Sequence, residues 1–375
     1  MNLILKGEVL DTIEIGDLLT VLSERDESLV IQTYSGHKGA VAKGSVVALA
    51  ESASVYDKLI AREPDEGRLY TLRAGAHYAQ GAHERALADY DKAIELGYEQ
   101  SHAYTSRGLF HASMGNHDSA LKDFTQAIEL DAEDSVSFMN RASVYLSVGD
   151  TEKAIDDYSA AIKLKPSSTV LYSQRAVAHK VAGNLPAAIK DYSRALEIVP
   201  EDVTALMGRG FVAFQSGDHK SAIRDFGSVI KLSPQSAVAY NNRGFNYQEL
   251  GKEKKAMQDF VKATELAPKY LLALRNRAWL ATLSTNPDVA DPAAAIDVAT
   301  AVCEITQFQD FSDLLLLSAA YASATEFETA IGWQEKASKV AQKLGDKQQI
   351  ELSQQVLQLY QDQRPIDPAL LTPNN

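Results

Sequence analysis

Seven arginines recur at intervals of 34 residues, and six of them are followed 16 residues later by an aspartate. A guanidinium and a carboxylate can form two parallel hydrogen bonds when they meet in one plane. The row of arginines could instead hold anionic ligands. We favour internal ion pairs, because each of the six arginines has a matching acid. The pairs would join Arg73, Arg107, Arg141, Arg175, Arg209 and Arg243 to Asp89, Asp123, Asp157, Asp191, Asp225 and Asp259, and Arg277 is the seventh arginine.

This interpretation carries a stability prediction for one pair. Replacing Arg141 with alanine should cost about 3–5 kcal/mol if its pair with Asp157 is buried, because an uncompensated carboxylate stays behind. The loss should be much smaller if the pair is exposed to solvent. A thermal melt that did not change would contradict the internal pairing.

The fixed spacing extends to other residue types and predicts a stack of helix–turn–helix units. Six blocks of 34 residues fill 67–270 without a gap. Glycine at position 15 can end a helix, and small residues at positions 8 and 20 let two helices approach closely. An aromatic residue at position 24 fills the space between them, and proline at position 32 stops the second helix. The position-24 residues are Tyr90, Phe124, Tyr158, Tyr192, Phe226 and Phe260.

These columns resemble the tetratricopeptide repeat family, over about three quarters of the chain. The resemblance implies a mainly α fold, a right-handed α-solenoid. It also implies that the first helices line a concave groove that binds a peptide or a partner protein. By the same resemblance, positions 2, 5, 9, 12 and 13 of each first helix face that groove. The apolar residues at these positions include Leu109, Met139, Val177, Met207, Phe211, Phe214, Phe245 and Trp279.

Two interpretations of this apolar strip stay open. It could be an exposed surface that takes a peptide or a helix from a partner. It could equally be packing between neighbouring first helices, with the carboxy-terminal blocks folded over it. The identity of a residue in a column does not reveal its exposure.

The blocks after residue 270 depart from the regular pattern. We expect an interrupted repeat over 271–310, a degenerate repeat over 311–345 and a capping helix over 346–363 that covers the last apolar face. Residues 364–375, rich in proline and polar residues, are expected to form a disordered tail. With these blocks, the predicted solenoid runs from 67 to 345.

The amino-terminal residues follow a different pattern. Short apolar–polar alternations over 1–50, separated by glycine and charged clusters, predict several short strands joined by tight turns. Gly16-Asp17, Leu29, Ile31 and Val41 lie in a pattern that resembles a bacterial Src homology 3-like barrel, a small all-β domain. The family usually has tryptophan where this chain has Ala40. Residues 51–66 are expected to form a half-repeat that links the barrel to the solenoid.

Composition narrows the function classes. The net charge of −13 argues against binding to a phosphate backbone, and no apolar run approaches the ~20 residues of a membrane span. We find no metalloprotease, Walker, dinucleotide or nucleophile-elbow motif. The histidines fall in columns of different repeats, so we expect no metal site, and Cys303 is a single cysteine without a partner.

The sequence therefore predicts a non-enzymatic scaffold that binds a protein or peptide, with no cofactor and no catalytic residue. Two alternatives stay open: a cell-envelope module that binds through the barrel, and an enzyme with an unrecognised site. A cytoplasmic location is the default expectation, and an export signal upstream of Met1 would favour the envelope alternative.

Overall fold

A computed structural model of the chain describes residues 2–5, 8–12, 20–24, 28–32, 38–42, 49–98 and 100–371. Contacts divide the chain into two units, residues 1–166 (unit 1) and 167–375 (unit 2). Eighteen α-helices lie within the described residues, and from α2 onward they form antiparallel pairs. The helical fold predicted from the 34-residue spacing is thereby confirmed.

Five short strands precede the helices in unit 1. Strands β1 (Asn2–Leu5) and β2 (Glu8–Thr12) form one antiparallel sheet, and β3 (Thr20–Glu24), β4 (Ser28–Gln32) and β5 (Lys38–Ala42) form another. No closed barrel is seen among the residues that the structure describes. The predicted connections between the strands lie outside those residues, so the Src homology 3-like assignment stays a prediction.

The regular repeats begin after α1, which spans Leu49–Ile60. In each repeat the first helix covers positions 1–13 and the second begins at position 17, as glycine at position 15 predicts. In unit 1 the pairs are α2 (Gly67–Ala79) with α3 (His83–Glu95), α4 (Ser101–Ser113) with α5 (His117–Leu130), and α6 (Ser135–Ser147) with α7 (Thr151–Leu164). In unit 2 they are α8 (Thr169–Val181) with α9 (Leu185–Ile198), α10 (Val203–Gln215) with α11 (His219–Leu232), and α12 (Ala237–Glu249) with α13 (Glu253–Leu266).

The turn between the two helices of a regular repeat depends on its glycine. Each position-15 glycine has a positive φ, between 66° at Gly251 and 87° at Gly149. Residues with a side chain are strained in this left-handed conformation, which glycine adopts without cost. The glycine therefore fixes where the first helix ends in every regular repeat.

The contact between the two helices of a repeat follows a rule that couples positions 8 and 24. Where position 24 is phenylalanine, position 8 is glycine; where it is tyrosine, position 8 is alanine. A Cβ on Gly108 would lie 2.8 Å from the ring of Phe124, too close for any side chain. The glycine therefore makes room for the phenylalanine ring. The pairs are Gly108–Phe124, Gly210–Phe226, Gly244–Phe260, Ala74–Tyr90, Ala142–Tyr158 and Ala176–Tyr192.

Contacts between successive repeats use position 10 of the first helix, which the sequence analysis did not single out. Phe110 packs on Tyr90 of the preceding repeat, and Val144 packs on Phe124. Position 10 is buried in all seven first helices from α2 to α14. The apolar face that one repeat leaves uncovered is therefore closed by the next one.

The carboxy-terminal helices keep the pairing but not the period. Helix α14 begins on schedule, whereas α15 begins 39 residues after α13, five more than the period. Helices α16 and α17 form the predicted eighth pair, and α18 packs on α17. The helices are α14 (Leu271–Leu283), α15 (Pro292–Ile305), α16 (Phe311–Ser323), α17 (Phe327–Leu344) and α18 (Lys347–Gln361).

The segment after α18 differs from the disordered tail expected over 364–375. Ile366 is buried, and Leu370 and Leu371 pack against the core of the carboxy-terminal helices. Residues Pro368–Leu371 form a short 3-10 helix. The three apolar residues supply the burial energy that the proline and polar content of the segment obscured. Residues 372–375 lie outside the described residues.

Candidate partner-binding surface

The six predicted Arg–Asp pairs all form within their own repeats, and we call them the ion-pair ladder. In each, Nε and Nη2 of the arginine donate to the two oxygens of the aspartate over 2.6–2.9 Å. The aspartate side chains are only 6–9% exposed and the arginines 17–29%. These hydrogen bonds raise the pKa of each arginine, so the pairs stay charged. The geometry supports internal pairing rather than capture of anionic ligands.

The remaining nitrogen of several ladder arginines reaches the second helix of the preceding repeat. Nη1 of Arg73 donates to Asp57 of α1 over 2.7 Å, and Arg107 donates to Asp91 over the same distance. Arg141 and Arg209 donate instead to the hydroxyls of Thr125 and Ser193, over 3.1 and 3.2 Å. Position 25 supplies all four acceptors, so the ladder also links neighbouring repeats. Asp57 shows that α1 stands where a second helix would, as expected of a half-repeat.

The ladder changes where the period breaks. Arg277 has no aspartate at the usual distance, because α15 begins late, and its Nη1 donates to Thr264 over 3.2 Å. Arg275 takes over and donates to Asp313 of α16 over 2.6 and 2.8 Å. Asp313 is wholly buried. No regular column predicts this pair, because the inserted residues separate its members by 38 positions.

Histidines lie beside the ladder and do not gather as ligands. Nε2 of His77, His111 and His179 lies 3.8–3.9 Å from the ladder aspartate of its repeat. Burial lowers the pKa of His179, which favours its neutral form. Within the part of the chain that the structure describes, no three histidine, cysteine or acidic side chains come together as a metal site.

Cys303 lies inside the carboxy-terminal core. Its Sγ donates to the backbone oxygen of Asp313 over 3.3 Å, and burial raises the pKa of the thiol to about 12. A thiol that stays protonated is a poor nucleophile. No described helix is long and apolar enough to cross a membrane.

The eight predicted groove residues fall into two groups by exposure. Leu109 and Phe211 are 47% and 42% exposed, and the other six are intermediate. Met207 and Phe214 pack on the cluster around Phe226. Both interpretations of the strip therefore hold for part of it, and exposure selects Leu109 and Phe211 as its open members.

Phe245 and Trp279 belong to the packed group. Phe245 contacts the ring of Phe214 edge-on, with ring centres 5.4 Å apart, and lies against the cluster around Phe260. Trp279 packs against the carboxy-terminal core. Met139 and Val177 are half-buried on the first helices of units 1 and 2.

The first helices of unit 2 carry a continuous set of unburied positions, 2, 6, 9 and 13, which repeat every turn along one helix face. We call this set the exposed face of unit 2. Glu249 is its only charged member. Its apolar members include Val170, Val177, Val181, Phe211, Val238, Phe245, Leu272, Trp279 and Leu283.

The same positions in unit 1 have a different composition. Serine occupies four of them, and glycine or alanine two more. Leu72, Leu109 and Val136 are the large apolar residues, and Arg68 adds a charge. The apolar surface of the first helices is thus concentrated in unit 2.

Comparison with solved structures places the fold among helical repeat proteins. The carboxy-terminal part of a tetratricopeptide repeat protein from Cytophaga hutchinsonii is 17% identical over 61% of this chain and 94% of its own, with a TM-score of 0.54. A tetratricopeptide repeat protein from Parabacteroides merdae is 20% identical over 82% of this chain and 99% of its own, with a TM-score of 0.48. YrrB, described as having an unusual peptide-binding site, is 24% identical over 49% and 95%, with a TM-score of 0.43.

Comparison with curated proteins gives no significant match. Family comparison does give one. The tetratricopeptide repeat pattern matches residues 49–100, 107–169 and 174–237, and a second tetratricopeptide repeat pattern matches 237–270. The first match begins at α1, in agreement with its role as a half-repeat. Together with the helix pairing and the repeated contacts above, these matches show that the chain belongs to the tetratricopeptide repeat family.

Proposed function

We propose that this protein is a scaffold whose exposed face of unit 2 binds an apolar segment of a partner protein. Tetratricopeptide repeats are typical of protein–protein interaction scaffolds and are usually non-catalytic. The observation that carries the proposal is the exposure of Phe211, at 42%, on a helix face with a single charge. Large aromatic side chains on a solvent-facing surface are characteristic anchors of protein interfaces.

Neighbouring helices extend this anchor. Val170 on α8, Val238 on α12 and Leu272 on α14 are 56%, 43% and 49% exposed. All three occupy position 2 of their helices, and Phe211 occupies position 9 of α10. A partner segment that buried these side chains would gain roughly 25 cal/mol for each Å² of apolar surface removed from water. The near absence of charge favours an uncharged, apolar segment over an acidic tail.

The test combines two exposed residues. Phe211→Ala with Val238→Ala removes apolar surface while leaving the packed residues Phe214 and Phe245 in place. We expect the double variant to keep its circular dichroism spectrum and melting temperature and to lose the partners captured by the wild-type chain. Leu232→Ala, at 38% exposure on the second helix α11, is the matched control and should keep them. Equal capture by all three proteins would contradict the proposal.

The amino-terminal residues enter the proposal only as a fold assignment. We infer that residues 1–50 form the Src homology 3-like domain, since five antiparallel strands fall within them. Residues 67–345 are assigned to the repeats and 346–363 to the capping helix. A nuclear magnetic resonance spectrum of residues 1–50 within the full chain would test the domain assignment through its strand pairings.

A further inference from the structure

A cavity of about 500 Å³ opens in unit 2 beside the first turns of α11 and α13. Four of the residues that line it are cations: Lys220, Arg224, Lys252 and Lys255. Asp218 is the one acid in the lining. Such a concentration of positive charge is unexpected in a chain whose net charge is −13.

The acid in the lining does not neutralise these cations. The oxygens of Asp218 accept hydrogen bonds from the backbone N–H and the hydroxyl of Ser221, over 3.1 and 2.6 Å. Nη2 of Arg224 donates to the same hydroxyl over 2.7 Å, which holds the guanidinium beside the cavity with its other donors free for a ligand. Among the described residues, no carboxylate lies within ion-pair distance of Lys220, Lys252 or Lys255.

The equivalent place between the second and third repeats shows what is unusual here. Lys153 lies over the ring of Tyr145 at 5.2 Å, just as Lys255 lies over Tyr247 at 5.6 Å. Lys153 is neutralised by Asp150, which its Nζ contacts at 2.7 Å. Lys252 stands at the position of that aspartate.

A second acid is replaced in the same way. Lys220 occupies the position that Asp118 holds in the second repeat. The fold therefore builds the same cavity edge twice, once with acids that balance its lysine and once with lysines in their place. The difference in charge is specific to the later pair of repeats.

We propose that this cavity binds a phosphate monoester carried by a partner protein. A phosphorylated side chain has a charge of about −1.5 to −2 at pH 7 and three strong acceptor oxygens. Arg224 can grip two of these oxygens through its planar fork, and the lysines add point charges. Helix α13 begins at Lys252 without a side-chain cap, so its first N–H groups also point positive charge outward.

The rest of the lining suits a side chain rather than a polymer. Tyr247, Leu250 and Ile223 form an apolar wall against which the carbon stem of a modified residue can pack. Nucleic acid is disfavoured, because its affinity depends on many phosphate contacts along a basic track, and the chain is acidic overall. The site is separate from the exposed face of unit 2, so it does not depend on the function proposed above.

The experiment titrates the full-length chain with N-acetyl-phosphoserine amide and follows binding by nuclear magnetic resonance and calorimetry. Lys252→Gln with Lys255→Gln should weaken binding about tenfold or more, since two charge-assisted contacts are lost. Lys153→Gln is the matched control, because it removes the same stacked lysine where Asp150 already neutralises it. This control should bind like the wild-type chain.

The outcomes separate the sources of the anion. Binding that survives the double substitution, or that Lys153→Gln weakens equally, would overturn the site. Inorganic phosphate that binds more tightly than the phosphoserine derivative would overturn the assignment to a modified side chain. A ten-nucleotide single strand that depends on the same lysines and binds more tightly would overturn the protein partner in favour of nucleic acid.

Discussion

The regular repeats over 67–270 and the carboxy-terminal helices over 271–371 use the same helix pairs but are stabilised differently. Hydrophobic clusters in the regular repeats hold three or four buried residues, such as Ala120, Phe124 and Val144. The carboxy-terminal helices share one cluster of 22 buried residues. Regular repeats thus depend on the same small contact made many times, whereas the irregular region depends on one pooled core.

Ion pairs and turns differ in the same sense. Each regular repeat has a partly exposed arginine on an aspartate and a glycine in its turn, whereas α14 to α18 have one pair on a wholly buried acid. Their turns include Gln307, Phe308 and Thr325, which have positive φ values of 55°, 55° and 64° without being glycine. A sequence that repeats must use contacts that every copy can make, and a sequence that does not repeat can use contacts that occur once.

The largest expected effect compares the two kinds of ion pair. Arg275→Ala should cost about 3–5 kcal/mol, because it strands the wholly buried carboxylate of Asp313. Arg141→Ala should cost about 1.5–3 kcal/mol, because Asp157 lies near enough to the surface to regain water. Urea denaturation of both variants measures the difference, and Lys262→Ala, in an exposed pair, should change little. Equal losses for the two arginines would remove the distinction between the regions.

An intermediate effect compares two glycines within helices. Gly108→Ala should cost about 1–3 kcal/mol, because its Cβ would overlap the ring of Phe124. Gly332→Ala in α17 should stabilise by up to about 1 kcal/mol, since nothing lies within 4 Å of that Cβ and alanine favours helix. Thermal unfolding of the two variants should therefore shift in opposite directions. A gain at Gly108 would show that the Gly–Phe pairing is not a steric requirement.

The smallest expected effect concerns the turns. Thr325→Gly should stabilise by about 0.5–1 kcal/mol, because a β-branched residue at φ 64° is strained and glycine is not, less the extra freedom that glycine gives the unfolded chain. Gly149→Ala, at φ 87° in a regular turn, should destabilise by about 1–2 kcal/mol. Denaturant midpoints of both variants measure this contrast, and a loss of stability in Thr325→Gly would argue against strain at that turn.

Much of the regular region could be predicted from residue columns. Positions 7 and 23 lie at the same height in a pair of antiparallel helices, so a matched arginine and aspartate had a simple geometric reading. Position 10 was missed, because its residues vary from alanine to phenylalanine and no single type marks the column. The Arg275–Asp313 pair was missed because the inserted residues remove the spacing that would have linked them.

The exposure of the binding surface and the basic cavity were decided in three dimensions. Phe211 and Phe245 share a column, yet one is open and the other packs on Phe214, because each depends on its neighbours in the adjacent repeat. The cavity likewise needs Lys220 from one repeat and Lys252 from the next.

The amino-acid sequence by itself determined the helix pairs, their turns and the ladder, because these depend on contacts within one 34-residue unit that recurs unchanged. Tertiary structure alone decided which apolar side chains stay exposed and which cations share a cavity. Both properties arise where two different units meet, and burial and electrostatic energy there depend on distances that no single unit contains.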